Sequence, residues 1–175
     1  HMKETPNRVT KAFVEELFAG NFKPKPKVTS FEDEDKVLNY TGMIVQTDID
    51  IKSCCSHHFQ PFIGKCHIAY IPAEPTENKG GKVIGLSKLN RIADNCARRP
   101  QVQERLTKQI LLEVDKAVPG NRGIAVTIIC KHLCCSNRGI GHDSQMKTTE
   151  RTGAFESDQA TMNEYLFYIQ SQMKL

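Results

Sequence analysis

The sequence predicts an α+β fold, an antiparallel sheet with two antiparallel helices laid against it and further helices at both ends of the chain. Three observations carry this. Residues Val45 to Ser53 alternate, with Val45, Thr47, Ile49 and Ile51 on one side and Gln46, Asp48, Asp50 and Lys52 on the other, as a half-buried strand requires. Two helical stretches, Ser87 to Ala97 and Gln101 to Val118, are separated only by Arg98-Arg99-Pro100, where Pro100 forces a break. A β-branched run, Ile124 to Ile129, then returns the chain to a strand. Strands flanking a helix pair imply a sheet layer backed by a helix layer.

In chain order, the first element is a helix, with Thr5 as its N-cap, Pro6 in its first turn and Gly20 just past its end. Val9, Phe13 and Leu17 recur at four-residue spacing and give it one apolar face. Asn21 to Lys27, with two prolines, reads as an extended connector, and Glu32 to Asp35 as an acidic turn. Gly64 to Pro72 is the partner of the Val45 strand. Ala73 to Lys82, with Pro75, Gly80 and Gly81, reads as an exposed loop. After Pro119-Gly120-Asn121 comes the Ile124 strand, then a further strand near Lys147 to Ala154 and a closing helix over about Asp158 to Gln172.

The chain has 175 residues, enough for one domain with a real core. His1-Met2 reads as a cloning remnant, leaving 3–175 as that domain. Twenty-four Lys and Arg against twenty Asp and Glu suit an anionic small molecule and do not demand nucleic acid. Seven cysteines are too few for a disulfide scaffold and read as reduced thiols and metal ligands in a cytoplasmic protein. No apolar run reaches the roughly 18 residues of a membrane span.

Two distant clusters carry the chemistry: Cys55-Ser56-His57-His58 and His132-Leu133-Cys134. Structural zinc sites close with four protein ligands, whereas a hydrolytic zinc keeps a position open for water. Cys55 and His58 form one near pair and Cys134 supplies a third ligand, so a catalytic zinc with three protein ligands is favoured over a structural site or none. Cys54-Cys55 and Cys134-Cys135 raise the possibility of four thiolates. In extended backbone, however, neighbouring side chains point to opposite faces, so one of each pair should reach a common metal. His57 and His132 are left beside the metal to move protons.

Ser87, Lys88 and Arg91 fall in the first turns of a helix, where cations and free backbone N–H groups suit phosphate. Arg138, Arg8 and Lys11 add cations that could converge. Glu104, at the start of the next helix, can accept two hydrogen bonds from a guanine edge.

The strings C-S-H-H-F-Q-P-F-I-G-K at 55–65, V-I-G-L-S-K-L-N-R-I at 83–92, R-R-P-Q-V-Q-E-R-L-T-K-Q-I at 98–110 and H-L-C-C-S-N-R-G at 132–139 resemble GTP cyclohydrolase I. E-T-P-N-R-V-T-K at 4–11 is similar to that family's E-T-P-H-R segment, and the matches run in order from about Glu4 to Phe155. The resemblance implies a tunnelling fold assembled as a homo-oligomer, pentameric rings stacked into a decamer. It implies zinc held by Cys55, His58 and Cys134, with His57 and His132 as acid/base groups. Ser87 joins these as a catalytic residue at the phosphate end, with Lys88, Arg91, Arg138, Arg8 and Lys11 around the triphosphate. Glu104 and Gln103 are implied on the guanine. The implied reaction is hydrolysis of GTP at C8, release of formate and rearrangement to 7,8-dihydroneopterin triphosphate. A related tunnelling-fold nitrile reductase acting on 7-cyano-7-deazaguanine with NADPH, and a catalytically silent metal-binding ring protein, are the alternatives. Departures from the pattern are Ser56 for the usual glutamate of C-E-H-H, Asn7 for a histidine, a longer Ala73 to Lys82 loop, and an N-terminal helical extension that is almost absent.

Overall fold

The computed structural model describes residues 1–32, 40–76 and 81–171. Its centre is a five-stranded sheet in the order β5-β2-β3-β6-β7. These strands are β2 (Ile44–Cys55), β3 (Pro61–Ile71), β5 (Pro100–Gln101), β6 (Gly123–His132) and β7 (Gln145–Gly153). All neighbours are antiparallel except β5, which runs parallel to the end of β2. A separate two-stranded ribbon pairs β1 (Ser30–Glu32) with β4 (Lys82–Ile84), a pairing of three residues each that no local pattern announced.

The alternation along β2 is real but it changes face midway. Gln46 lies opposite Ile68 and Ile49 opposite Cys66, so three steps on β2 match two on β3. This is a β-bulge, with Asp48 in the left-handed region at φ 58. Val45 therefore packs with the opposite face from Ile49 and Ile51, although all three are odd-numbered. The single-faced row expected from the sequence is thereby corrected.

On one face lie α3 (Leu86–Ala97) and α4 (Gln103–Ala117). Leu89, Ile92, Ala93, Cys96 and Ala97 of α3 and Leu106, Ile110, Leu111 and Val114 of α4 are buried at helical spacing. They close on Ile51, Phe62, Cys66, Ile68, Ile124, Val126 and Ile128. The opposite face is covered by α7 (Gln159–Ser171), whose Met162, Tyr165 and Ile169 pack on Ala69, Ile71, Ala125 and Phe155. Asp158 caps α7 by accepting from the backbone N–H groups of Ala160 and Thr161. A single turn, α6 (Ala154–Ser157), precedes it.

The expected N-terminal helix is three pieces: α1 (Thr5–Lys11), a π-helical turn over Ala12–Leu17, and α2 (Ala19–Phe22). Glu4 occupies the N-cap position and Thr5 is already helical. Gly20 lies inside α2 because its backbone presses on α3; a Cβ there would stand 2.5 Å from Asn95 O. The acidic turn expected at Glu32 to Asp35 begins in β1 and otherwise lies outside the described residues. So does the centre of the Ala73 to Lys82 loop, whose last residue starts β4. Among the described residues no helix is long and apolar enough to cross a membrane.

Candidate active site

Sheet register assembles the first group of site residues. β2 ends at Cys55, which is 5% exposed, and the chain turns through Ser56, His57, His58 and Phe59 into β3. The turn is closed by Phe59 N–H donating to Cys55 O and Cys55 N–H to Gln60 O, both at 2.9 Å. Ser56 N–H donates to Gln101 O, which ties the turn to β5. Pairing of β3 with β6 sets Phe62 opposite His132. Their rings stack at 4.6 Å with a 7° interplanar angle. One residue beyond His132, the single-turn helix α5 (Leu133–Ser136) presents Cys134.

The Cys134 thiol lies beside those of Cys55 and Cys135; burial is the main cause that raises its pKa, and the neighbouring thiols add to the rise. His57 Nδ1 stands 3.7 Å from Cys55 Sγ. His58 Nε2 stands 3.3 Å from Arg138 Nη1; the guanidinium can only donate, so Nε2 carries a lone pair. Two thiols and imidazole nitrogens are the donor chemistry zinc takes. The thiols of Cys55 and Cys134 converge, while the His58 lone pair is taken by Arg138, and among the described residues no three such donors close around one point. Because α5 is helical, Cys134 and Cys135 are not the opposite-facing extended pair the sequence suggested. Cys135 is exposed and Cys134 half-buried.

Gln103 begins α4 and is 1% exposed. Its Nε2 donates towards Ile128 O, Met146 O and Thr148 Oγ1, each at 3.1 Å. With three acceptors around Nε2, the amide has one sensible orientation, and Oε1 faces His132 Nε2 at 2.8 Å. His132 therefore donates from Nε2 and leaves Nδ1 bare. Thr107 donates to Gln103 O at 2.8 Å, so the 2.7 Å contact between Thr107 and Thr148 has Thr148 as donor. The network has a direction from the imidazole to the start of α4. Burial pushes the His132 pKa below the usual histidine value, with nearby Glu104 opposing it. Gln103, expected on a guanine, spends both side-chain atoms inside the protein. Its exposed neighbour Glu104 is the one turned to solvent.

The second group stands apart. Ser87, Lys88 and Arg91 lie in the first turns of α3, whose far end is tied to β2 by Ser53 Oγ–H donating to Ala97 O at 2.7 Å. Ala97 lies ten helical steps beyond Ser87, about 15 Å of rise. Arg91 lines a groove of about 380 Å³ with Gly20, Lys23, Asp94, Asn95 and Arg98. Arg8 and Lys11 are exposed on α1, Lys11 within 3.9 Å of Glu15. Among the described residues no hydrogen bond or ion pair joins Ser87, Lys88 or Arg91 to the Cys55 group.

Sequence reasoning found the thiols, histidines and cations but missed Phe62, Thr107 and Thr148. Phe62 lies within the C-S-H-H-F-Q-P-F string, two residues before the strand expected from Gly64; β3 starts earlier, at Pro61, and the stacking of Phe62 depends on register.

A family model described as GTP cyclohydrolase I matches residues 1–170. The chain is 44% identical over 169 residues to a GTP cyclohydrolase 1 of Flavobacterium johnsoniae, covering 96% of this chain and 71% of the relative. To that of Aeromonas salmonicida it is 43% identical over 167 residues, covering 94% and 72%. To that of Escherichia coli O1:K1 it is 42% identical over 167 residues, covering 94% and 70%. A solved archaeosine synthase, QueF-Like in the apo form, overlays with a TM-score of 0.46 at 18% identity, over 63% of this chain and 93% of that one.

Proposed function

The chain belongs to the GTP cyclohydrolase I family and is an enzyme of that kind, and on this premise we propose that it hydrolyses GTP at C8 of the guanine using zinc, releases formate and forms 7,8-dihydroneopterin triphosphate. The observation that carries the zinc reading is the convergence of the Cys55 and Cys134 thiols, with His57 beside Cys55 and His132 two residues before Cys134 in the chain. Cys55, Cys134 and His58 would hold the ion. Bound there, zinc supplies Lewis acidity for the attack of water on the ring carbon.

The protein's own residues divide the remaining work. His132, with Nε2–H committed to Gln103 and its pKa lowered by burial, keeps Nδ1 as a proton acceptor at neutral pH. His57, exposed beside Cys55, is the second proton carrier. Two such groups suit a reaction with several proton transfers, from ring opening to pterin closure. Glu104 pairs with the guanine edge while Gln103 holds His132. Ser87, Lys88 and Arg91, together with Arg8, Lys11 and Arg138, bind the triphosphate, with Ser87 closest to catalysis among them.

We read the complete pocket as lying between subunits. The separation of the α3 cations from the Cys55 group supports this. So do the two sheet edges: the outer edge of β7 has no partner among the described residues, and that of β2 is paired only at Cys54 and Cys55. Open antiparallel edges are sites where a second copy adds its strand. Pentameric rings stacked as a decamer fit this. Seven unpaired cysteines, all in the described residues, fit a reducing cytoplasm. The test is incubation with GTP with and without a zinc chelator. Formate released without chelator and lost with it supports the reading, and equal release in both arms removes zinc from it.

A further inference from the structure

The N-terminal arm, Thr5–Phe22, is attached by little. α1 and the π-helical turn bury no residue, and Ala19 is the one buried residue of α2. Among the described residues the side-chain polar bonds of α1 are local: Asn7 to Glu4, Thr10 to Pro6 O, and the Lys11–Glu15 pair. Two attachments reach the body. At the end of α3, Gly20 N–H donates to Arg98 O, Arg99 Nη2 to Gly20 O, and Arg98 Nη1 to Glu16 O. The other attachment is aromatic. Phe13 and Phe18 meet edge-on at 5.3 Å, and both touch Phe59, at 6.4 Å and 5.6 Å between centroids.

Both sides of this aromatic contact are specially shaped. In a regular α-helix, residues five apart point about 140° away from each other. The π-helical bond from Phe18 N–H to Phe13 O, at 2.8 Å, brings the two rings to one side. Phe59, immediately after His57-His58, sits at φ 51, a region bulky aromatic residues seldom occupy. It is held there by its own N–H to Cys55 O. A ring 51% exposed in the bare chain is thus aimed at the arm from the turn that carries the site histidines.

From this we infer that Phe59 is a positioning residue: with Phe13 and Phe18 it clasps the N-terminal arm to the His57-His58 turn, and so fixes Arg8 and Lys11 relative to the reacting end of the substrate. The inference rests on the reading of Arg8 and Lys11 as triphosphate ligands. Among the described residues the ring contacts of Phe13 are to Phe18 and Phe59, so its substitution tests the clasp while leaving the site residues themselves in place.

The experiment compares wild type, Phe13→Ala, Phe59→Ala, the double variant and Phe13→Tyr in the full chain. It measures steady-state formate release, calorimetric GTP binding and the rate of tryptic cleavage at Lys11. Phe13→Ala should raise KM and Kd for GTP about fivefold, the factor for losing an aromatic pair of about 1 kcal/mol, while kcat stays within about twofold. Cleavage at Lys11 should accelerate, Phe13→Tyr should restore both readouts, and the double variant should bind GTP no worse than the weaker single one. Faster cleavage with unchanged GTP affinity would overturn the inference, as would unchanged cleavage or additive losses. If wild type bound GTP but released no formate, the proposed reaction would fail, while binding and cleavage would still decide on the clasp.

Discussion

Replacing Gln103 by Leu separates two jobs that sequence similarity merges. The side chain makes one bond to His132 and three contacts to Ile128 O, Met146 O and Thr148 Oγ1, all in a site 1% exposed. Leu fills similar volume but leaves the Nε2–H of the half-buried His132 ring without its acceptor. A stranded donor costs about 1–3 kcal/mol and each lost neutral bond about 1 kcal/mol. Two of the acceptors are strand carbonyls with a second lone pair, which limits their loss. The sum is therefore about 3 kcal/mol, a large share of an ordinary domain's stability. The assay is urea unfolding at fixed protein concentration, alongside kcat and calorimetric GTP affinity. The expected result is a lower midpoint, a fall in kcat of about a hundredfold, the scale of a displaced acid/base group, and GTP affinity within a few-fold of wild type. A variant with unchanged unfolding and sharply weakened GTP binding would refute the reasoning and return Gln103 to the guanine.

Cys134→Ala should purify with well under one zinc per chain by elemental analysis, and zinc content equal to wild type would contradict the ligand assignment. Lys88→Ala and Arg91→Ala should each raise KM for GTP at least about tenfold, as loss of a charge-assisted phosphate contact does, with binding of guanosine little changed; equal losses for both ligands would count against a phosphate role. His67 is 2% exposed, and its Nδ1 accepts from Asp48 N–H at the bulge, 3.3 Å away. Burial lowers its pKa, with Asp48 opposing and Lys65 assisting. Below about pH 6.5 the unfolded chain then takes up the proton first. The stability contributed by neutral His67 is full above that pH and declines as pH falls towards the folded-state value. His67→Gln should flatten this part of the stability–pH curve, and an unchanged slope would remove His67 as its source.

Much of the fold was readable because it depends on local signals. The β2 alternation, Pro100 between α3 and α4, the Ile124 run and the α7 pattern each place an element within a few residues of where it stands. What escaped depends on pairing. The bulge between Gln46 and Ile49 moves Val45 to the other face, and only the register against Ile68 and Cys66 reveals it. β1, β4 and β5 are two or three residues long and exist through partners far along the chain. At the site, the residue types announced metal and proton chemistry. They could not say that Gln103 faces inward while Glu104 faces out, since neighbours on one helix differ only in which side meets the sheet. Nor could spacing show that Ser87, Lys88 and Arg91 lie at the other end of α3 from the Cys55 turn.

The most direct test is to incubate the purified zinc-loaded protein with GTP and follow formate together with pterin fluorescence after oxidation. The proposed chemistry predicts one formate and one neopterin triphosphate for each GTP consumed. Intact GTP at the end of the incubation, or GTP consumed without formate, would contradict it.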